Sequence, residues 1–276
     1  MHPDQSARIG VMLKERLERA LPGWDIDIRE EHRQLEVMSA LQDSTADLAF
    51  AYADIAYLAH VGSFHGRPFD RLRAIATLNM SPVYVLVRGD SDIEDIDDLQ
   101  GRRVNVGQPG TRTALTVETI LNTFGHNVTK SQEPFREALT KLESGELDVI
   151  FAVGGYDPIL GLEKSINSGR IRLASVSKSA VSRLRRDHPF IHGIVLAPGL
   201  YHDQVVLTIG IERLLLCREG LDRDVAYQVT RAFFELLPDL SSADQQLRQM
   251  NVEAASATAV PLHQGAARYY REQEQM

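Results

Sequence analysis

The sequence predicts an α/β protein of two lobes, and three observations carry the prediction. Apolar, strand-sized runs alternate with amphipathic helical stretches along all 276 residues. Glycines placed to stop helices follow two of those stretches, at Gly125 and Gly145. Two long strands, residues 83–88 and 205–211, each stand between dissimilar groups of strands and helices, as crossovers between lobes would. On this reading residues 1–82 with 212–276 make one lobe, residues 89–204 the other, and 83–88 with 205–211 are hinge strands. A ligand would sit in the cleft between the lobes, where strand ends face helix N-termini.

Each element has a local reason. Ile9, Leu13, Leu17 and Ala20 recur at helical spacing over residues 6–20. Residues 24–28 (Trp-Asp-Ile-Asp-Ile) alternate with period two and read as a strand. A helix over 33–42, a strand over 47–51 and a helix over 54–60 follow. Residues 72–78 and 83–87 read as two strands separated by Asn79-Met80-Ser81-Pro82. A helical turn over 96–99 stops at Gly101 and precedes the strand 103–107. Helices over 112–124 and 134–143 and an apolar strand over 147–153 come next, and Gly154-Gly155-Tyr156-Asp157-Pro158 opens a further helix. Strands over 171–176 and 205–211 and helices over 222–237, 244–250 and from about 264 complete the chain. All-apolar strands alternating with helices predict parallel sheets covered on both faces.

Composition narrows the function. The net charge of −8 argues against nucleic-acid binding and against adsorption to anionic lipid. One cysteine, Cys217, excludes an internal disulfide and reads as a core residue within Leu214-Leu215-Leu216-Cys217. Apolar runs are strand-sized, well short of the ~18–20 residues of a membrane helix, so no direct membrane insertion is expected. The start, Met1-His2-Pro3-Asp4-Gln5, has neither the basic region nor the apolar core of a signal peptide.

The most informative stretch runs from Val104 to Thr113, where a β-branched run ends in a Gly-Pro-Gly turn and a helix starts at once. Such a mouth offers amides without intrahelical partners, and the helix dipole favours negative charge there. The dipole contributes roughly 0.3–1 kcal/mol. A charge-assisted bond from Arg112 would contribute about 1.5–3 kcal/mol, so Arg112 would dominate if it points inward. The plainer alternative is an ordinary cap with Arg112 in solvent.

Candidate ligand contacts gather at four strand ends: Tyr52 and Asp54; Asn79; Gly110, Thr111, Arg112 and Thr113; and Gly154, Gly155 and Tyr156. Each has a structural alternative. Asp54 could simply be an N-cap, Asn79 could satisfy a turn, and the glycines could serve chain direction. Catalytic and metal patterns are weak. Gly107-Gln108-Pro109-Gly110 is no dinucleotide or P-loop fingerprint, and no H-E-x-x-H or G-x-S-x-G occurs. His188 and His192 are separated by Pro189, which denies them one helical face. No catalytic residue or metal is therefore expected. Arg183-Leu184-Arg185-Arg186 reads as a solvated face near a helix C-terminus.

Ordered blocks give a resemblance. They are Ala46-Asp47-Leu48-Ala49-Phe50 with Asp54-Ile55-Ala56-Tyr57, then Leu72-Arg73-Ala74-Ile75-Ala76, and Asp98-Leu99-Gln100-Gly101 leading to Val106-Gly107-Gln108-Pro109-Gly110-Thr111. Residues 139–148 and Gly155-Tyr156 follow, and Pro261-Leu262-His263-Gln264-Gly265-Ala266-Ala267-Arg268-Tyr269-Tyr270 closes the series. The chain resembles TAXI-type solute receptors, the substrate-binding subunits of tripartite ATP-independent periplasmic (TRAP) transporters. The resemblance implies a bilobal periplasmic-binding-protein fold of type II-like form, two α/β lobes joined by two crossover strands. It implies no cofactor, a small carboxylate-bearing or amino-acid ligand, membrane permease subunits as partners, and a periplasmic or extracytoplasmic location. A ligand-sensing domain of a signalling or regulatory protein is the alternative, and an enzyme on this fold a more distant one.

Three departures stand out. Of the strand and ligand-contacting loop that open such receptors, only Ser6-Ala7-Arg8-Ile9-Gly10 is matched, which predicts an incomplete N-terminus. Arg112 stands where a small residue is usual, and Gly155-Tyr156-Asp157-Pro158 has one residue more than the usual spacing.

Overall fold

The computed structural model describes residues 5–21, 23–31, 33–63, 66–154, 162–196, 205–243, 250 and 253–274. The chain forms two compact units, Met1–Met80 with Glu212–Met276, and Ser81–Ile211. Each has its own apolar core.

In the first unit, α1 (Gln5–Ala20) buries Ile9, Leu13 and Leu17, the stripe its spacing predicts. Helix α2 (Gln34–Gln42), strand β1 (Leu48–Tyr52) and helix α3 (Ala53–His60) follow. Strand β2 (Leu72–Arg88) starts in this unit and ends in the second; β8 (Val206–Arg218) runs the opposite way between them. β1 pairs antiparallel with the later part of β8, from Leu48 opposite Cys217 to Tyr52 opposite Arg213. Cys217 is buried as expected, and burial pushes its thiol up to about 12.

The unit closes with α8 (Arg223–Ala243) and α9 (Gln264–Glu274), which pack on each other while α8 also packs on α1. The closing block Pro261–Tyr270 is built for that contact. His263, 3% exposed, accepts the Gly265 N–H at Nδ1 (3.1 Å), and its Nε2 lies 3.1 Å from the Glu219 carbonyl. A Cβ on Gly265 would lie 2.3 Å from the Arg223 carbonyl oxygen, so only glycine allows α8 and α9 to approach this closely. The Tyr270 hydroxyl donates to the Ile75 carbonyl (3.0 Å), and Arg268 lies over the Tyr227 ring, 4.5 Å from its centroid.

In the second unit, β3 (Arg103–Asn105) pairs parallel with β4 (Thr129–Ser131) and with β5 (Val149–Val153). β5 and β6 (Ile171–Ala174) pair antiparallel with the later part of β2, and β7 (Ile191–Leu196) with the early part of β8. Helices α4 (Arg112–Phe124), α5 (Phe135–Ser144), α6 (Leu162–Asn167) and α7 (Lys178–Asp187) complete it. In the strand order β8 lies beside β2, and the Thr208 hydroxyl donates to the Val83 carbonyl. An ion pair from Arg103 to Asp148 and the backbone bond from Asp148 N–H to the Arg103 carbonyl (2.9 Å) align the starts of β3 and β5.

Several expectations need correction. Residues 72–88 are one strand rather than two with a turn. Pro82 stands one residue before the β2–β5 register opens at Val83, so the strand gives up one ladder bond at its end while the Pro82 carbonyl still accepts the Gly154 N–H (3.2 Å). The second long strand likewise continues past Ile211 to Arg218. Residues 24–28 are not a strand. The Ile26 N–H is bound by the Glu18 carboxylate (3.1 Å) and its carbonyl by the Lys14 ammonium, so side chains of α1 stand in for a ladder. The sheet is mixed, not parallel, because β2 and β8 run against their neighbours. The helix expected over 222–237 runs on through Pro238 to Ala243. The helix opening at 154–158 and most of 244–250 lie outside the described residues.

Candidate functional site

The carboxyl ends of the three parallel strands of the second unit converge on one cavity of about 380 Å³. Its lining comes from three places: Asn105, Gly107, Gln108, Thr111 and Thr113 after β3; Glu133 and Phe135 after β4; and the residues from Phe151 to Gly154 at the end of β5. Ends of parallel strands facing helix N-termini are where open α/β sheets hold ligands. The volume is that of a small-molecule site.

The mouth of α4 is shaped by local chemistry. Gly107 has φ +83°, and a Cβ there would sit 3.0 Å from Thr113 Cγ2 and 3.2 Å from the Ala114 nitrogen. Glycine therefore both turns the chain and lets the loop close onto the helix start. Thr111 is the N-cap: its hydroxyl accepts from the Ala114 N–H (3.3 Å) and donates to the Gln108 carbonyl (2.7 Å). The first turn of α4 carries no acidic side chain, so no carboxylate of its own occupies the positive end of the helix dipole.

Across the cavity, Glu133 is positioned by Asn105, which is 2% exposed. Asn105 Oδ1 accepts from the Glu133 N–H (2.9 Å), and Asn105 Nδ2 donates to the Glu133 carbonyl (3.3 Å). The Lys141 ammonium bonds the Glu133 carboxylate and holds it below the usual carboxylate range; Lys141 is raised in return. Lys141 does not line the cavity.

Of the residues the sequence singled out, Thr111, Thr113 and Gly154 share this cavity. Gly110 (φ +78°) completes the turn, and Arg112, partly buried on the first turn of α4, is not among the lining residues. Gly155 and Tyr156 lie outside the described residues. Tyr52, Asp54 and Asn79 belong to the first unit. Tyr52, not Asp54, is the N-cap residue of α3; Asp54 is 2% exposed in the first turn, accepting from the Ile55 N–H (2.8 Å). Asn79, 5% exposed, sits within β2, not in a turn.

Asn105, Glu133, Phe135 and Phe151 were not anticipated. The signal was present at two strand ends, since Asn105 closes β3 and Glu133-Pro134-Phe135 separates β4 from α5. A larger cavity, about 630 Å³, opens in the first unit beside α2, lined by Ser39, Gln42, Asp43 and Arg67 among others. Two of its polar side chains serve the protein: Gln42 donates to Asp70 (3.1 Å) and accepts from the Arg71 N–H (3.1 Å), and Ser39 donates to the Leu35 carbonyl. Size alone therefore does not make it the site. Among the described residues no group of three or more His, Cys, Asp or Glu is placed to hold a metal, and no helix is long and apolar enough to cross a membrane.

Two α/β units, each with its own core, and two long strands shared by both make the fold that solved bilobal periplasmic binding proteins also have. The chain belongs to the NMT1-like family, which it matches over residues 23–273. Among solved structures it is similar to a TctC solute binding protein from Polaromonas, at 15% identity and a TM-score of 0.57, covering 99% of this chain and 96% of that one. It is also similar to a periplasmic sulfonate-binding protein SsuA from Methylobacillus flagellatus KT, at 13% identity and a TM-score of 0.55, covering 89% of this chain and 65% of that one. Both likenesses are of fold.

Proposed function

We propose that this protein is a solute-binding protein, not an enzyme, that captures a small carboxylate-bearing ligand for a TRAP-type transporter of the TAXI kind. The ligand is a glutamate-like amino acid or a related organic anion. The observation that carries the reading is the cavity at the ends of β3, β4 and β5, with the acid-free N-terminus of α4 on its wall. A carboxylate there meets helix-start amides and the dipole together. Family membership and the shared fold support the binding role. On the same reading the protein works outside the cytoplasm beside membrane permease subunits and needs no cofactor, and Tyr52, Asp54, Asn79, Gly155 and Tyr156 also serve the ligand.

A thermal-shift screen of amino acids and small carboxylates tests the proposal. A ligand at about 100 times its Kd stabilises the folded state by about 2.7 kcal/mol. A clear rise in Tm with at least one carboxylate is expected. A flat response across the panel, with no saturable binding by calorimetry, overturns the reading.

A further inference from the structure

Among the described residues that line the cavity, Glu133 is the one charged side chain. The rest of the wall is neutral: amides at Asn105 and Gln108, hydroxyls at Thr111 and Thr113, and the rings of Phe135 and Phe151. A carboxylate on the wall of a site for an anionic solute is, by itself, repulsive. It is nevertheless fixed in place, since the buried Asn105 side chain bonds both the N–H and the carbonyl of Glu133. It is also fixed in charge: the Lys141 ammonium bonds it from α5 and keeps it below the usual carboxylate range. A carboxylate accepts at about four lone-pair positions, so beside the Lys141 ammonium and the nearby Ser131 and Glu137 side chains there is room for one further donor.

From this we infer that Glu133 is the specificity-determining residue of the cavity, selecting solutes that carry an amine beside their carboxylate over the corresponding plain acids. The inference rests on the carboxylate-binding reading above and names the solute class within it. The solute's carboxylate lies at the α4 mouth, where the first turn carries no acid, and its ammonium faces Glu133. Phe135 and Phe151 supply apolar wall for the remainder of the molecule. A plain dicarboxylate offers Glu133 no donor beyond the Lys141 ammonium it already holds and brings a like charge toward it, which is how a site rejects a close analogue.

Isothermal titration calorimetry on matched pairs tests this: L-glutamate with glutarate, L-leucine with isocaproate, and L-phenylalanine with hydrocinnamate. In the wild-type protein the amine-bearing member of a binding pair is expected to bind about tenfold tighter or more, the equivalent of one charge-assisted hydrogen bond. Glu133→Gln should abolish that ratio while leaving the plain acid bound at least as tightly. Lys141→Met, which removes the competing ammonium, should keep or enlarge the ratio; thermal melting of both variants reports whether they fold. A plain acid that binds as well as its amine-bearing partner overturns the inference and leaves the carboxylate reading standing. So does a ratio that survives in folded Glu133→Gln, or one that collapses in folded Lys141→Met. If no member of any pair binds, both fall. If Glu133→Gln fails to fold, the ratio in the wild type and in Lys141→Met decides.

Discussion

The Asn105 side chain holds the Glu133 backbone at two points, accepting from its N–H at 2.9 Å and donating to its carbonyl at 3.3 Å. The end of β3 and the loop between β4 and α5 are thereby held together on the wall of the cavity. Asn105 is buried, so removing its amide strands two backbone groups. Asn105→Ala is expected to destabilise the protein by about 2–4 kcal/mol, combining a lost pair of hydrogen bonds with unsatisfied partners. Asn105→Asp keeps the acceptor and should recover part of the loss. Urea unfolding of the three proteins checks the order.

The mouth of α4 predicts a ranking of affinities. Thr113 lines the cavity and Arg112 does not. Thr113→Val should therefore cost a carboxylate ligand about 1 kcal/mol, one neutral hydrogen bond, and Arg112→Ala less. Thr111→Ala should act mainly through its cap, at about 1 kcal/mol of stability. Calorimetry and melting on the three variants separate these effects. A larger affinity loss in Arg112→Ala would make the guanidinium the principal anion donor.

His188 predicts an acid-side loss of stability. Burial lowers its pKa, opposed by the nearby Asp187, and its Nε2 lies 3.0 Å from the Thr123 hydroxyl. With the folded value below the unfolded one, the unfolded chain binds more protons between the two. Stability contributed by the neutral ring is present above the ordinary histidine pKa of about 6.5 and is lost as pH falls through the depressed folded value. Urea midpoints measured from about pH 7 downward should fall more steeply in the wild-type protein than in His188→Gln.

Gly265 predicts a packing defect within the first unit. A methyl group there meets the Arg223 carbonyl oxygen at 2.3 Å and the Ala226 Cβ and Tyr227 nitrogen at 2.8 Å. α9 must back away from α8 or both must bend, so Gly265→Ala should cost about 1–3 kcal/mol. None of the residues it meets is a proposed ligand contact, so ligand affinity measured on the folded fraction should change little.

Much of this architecture was legible because its signals are local. Gly125 and Gly145 end α4 and α5 in the left-handed conformation their positions announce, and Thr111 caps α4 as its place before the helix suggests. Failures came where the outcome depends on distant chain. Residues 24–28 alternate as a strand should, yet Lys14 and Glu18 of α1 take up the Ile26 backbone. Pro82 reads as a break, but it falls where the β2–β5 pairing has only just begun, and its carbonyl still accepts the Gly154 N–H. The Asn105–Glu133 clamp was invisible for the same reason: each residue is unremarkable alone, and only the parallel pairing of β3 with β4 makes them neighbours.

The order in which the strands pair has a consequence for synthesis. β1 takes its ladder partners from residues 213–217, whereas β2, β3, β4 and β5 pair across shorter stretches inside the second unit. As the chain leaves the ribosome, the segment from Ser81 to Ile211 is complete before β1 can find Leu214, Leu215 or Cys217. Closing so long a loop is entropically slow, and the partner strand is not yet made. β1 therefore waits while residues 53–212 are made before its ladder partner exists, and its backbone edge and apolar face lack that cover for the whole interval. Production of this protein should respond more to chaperone supply than its final stability would indicate.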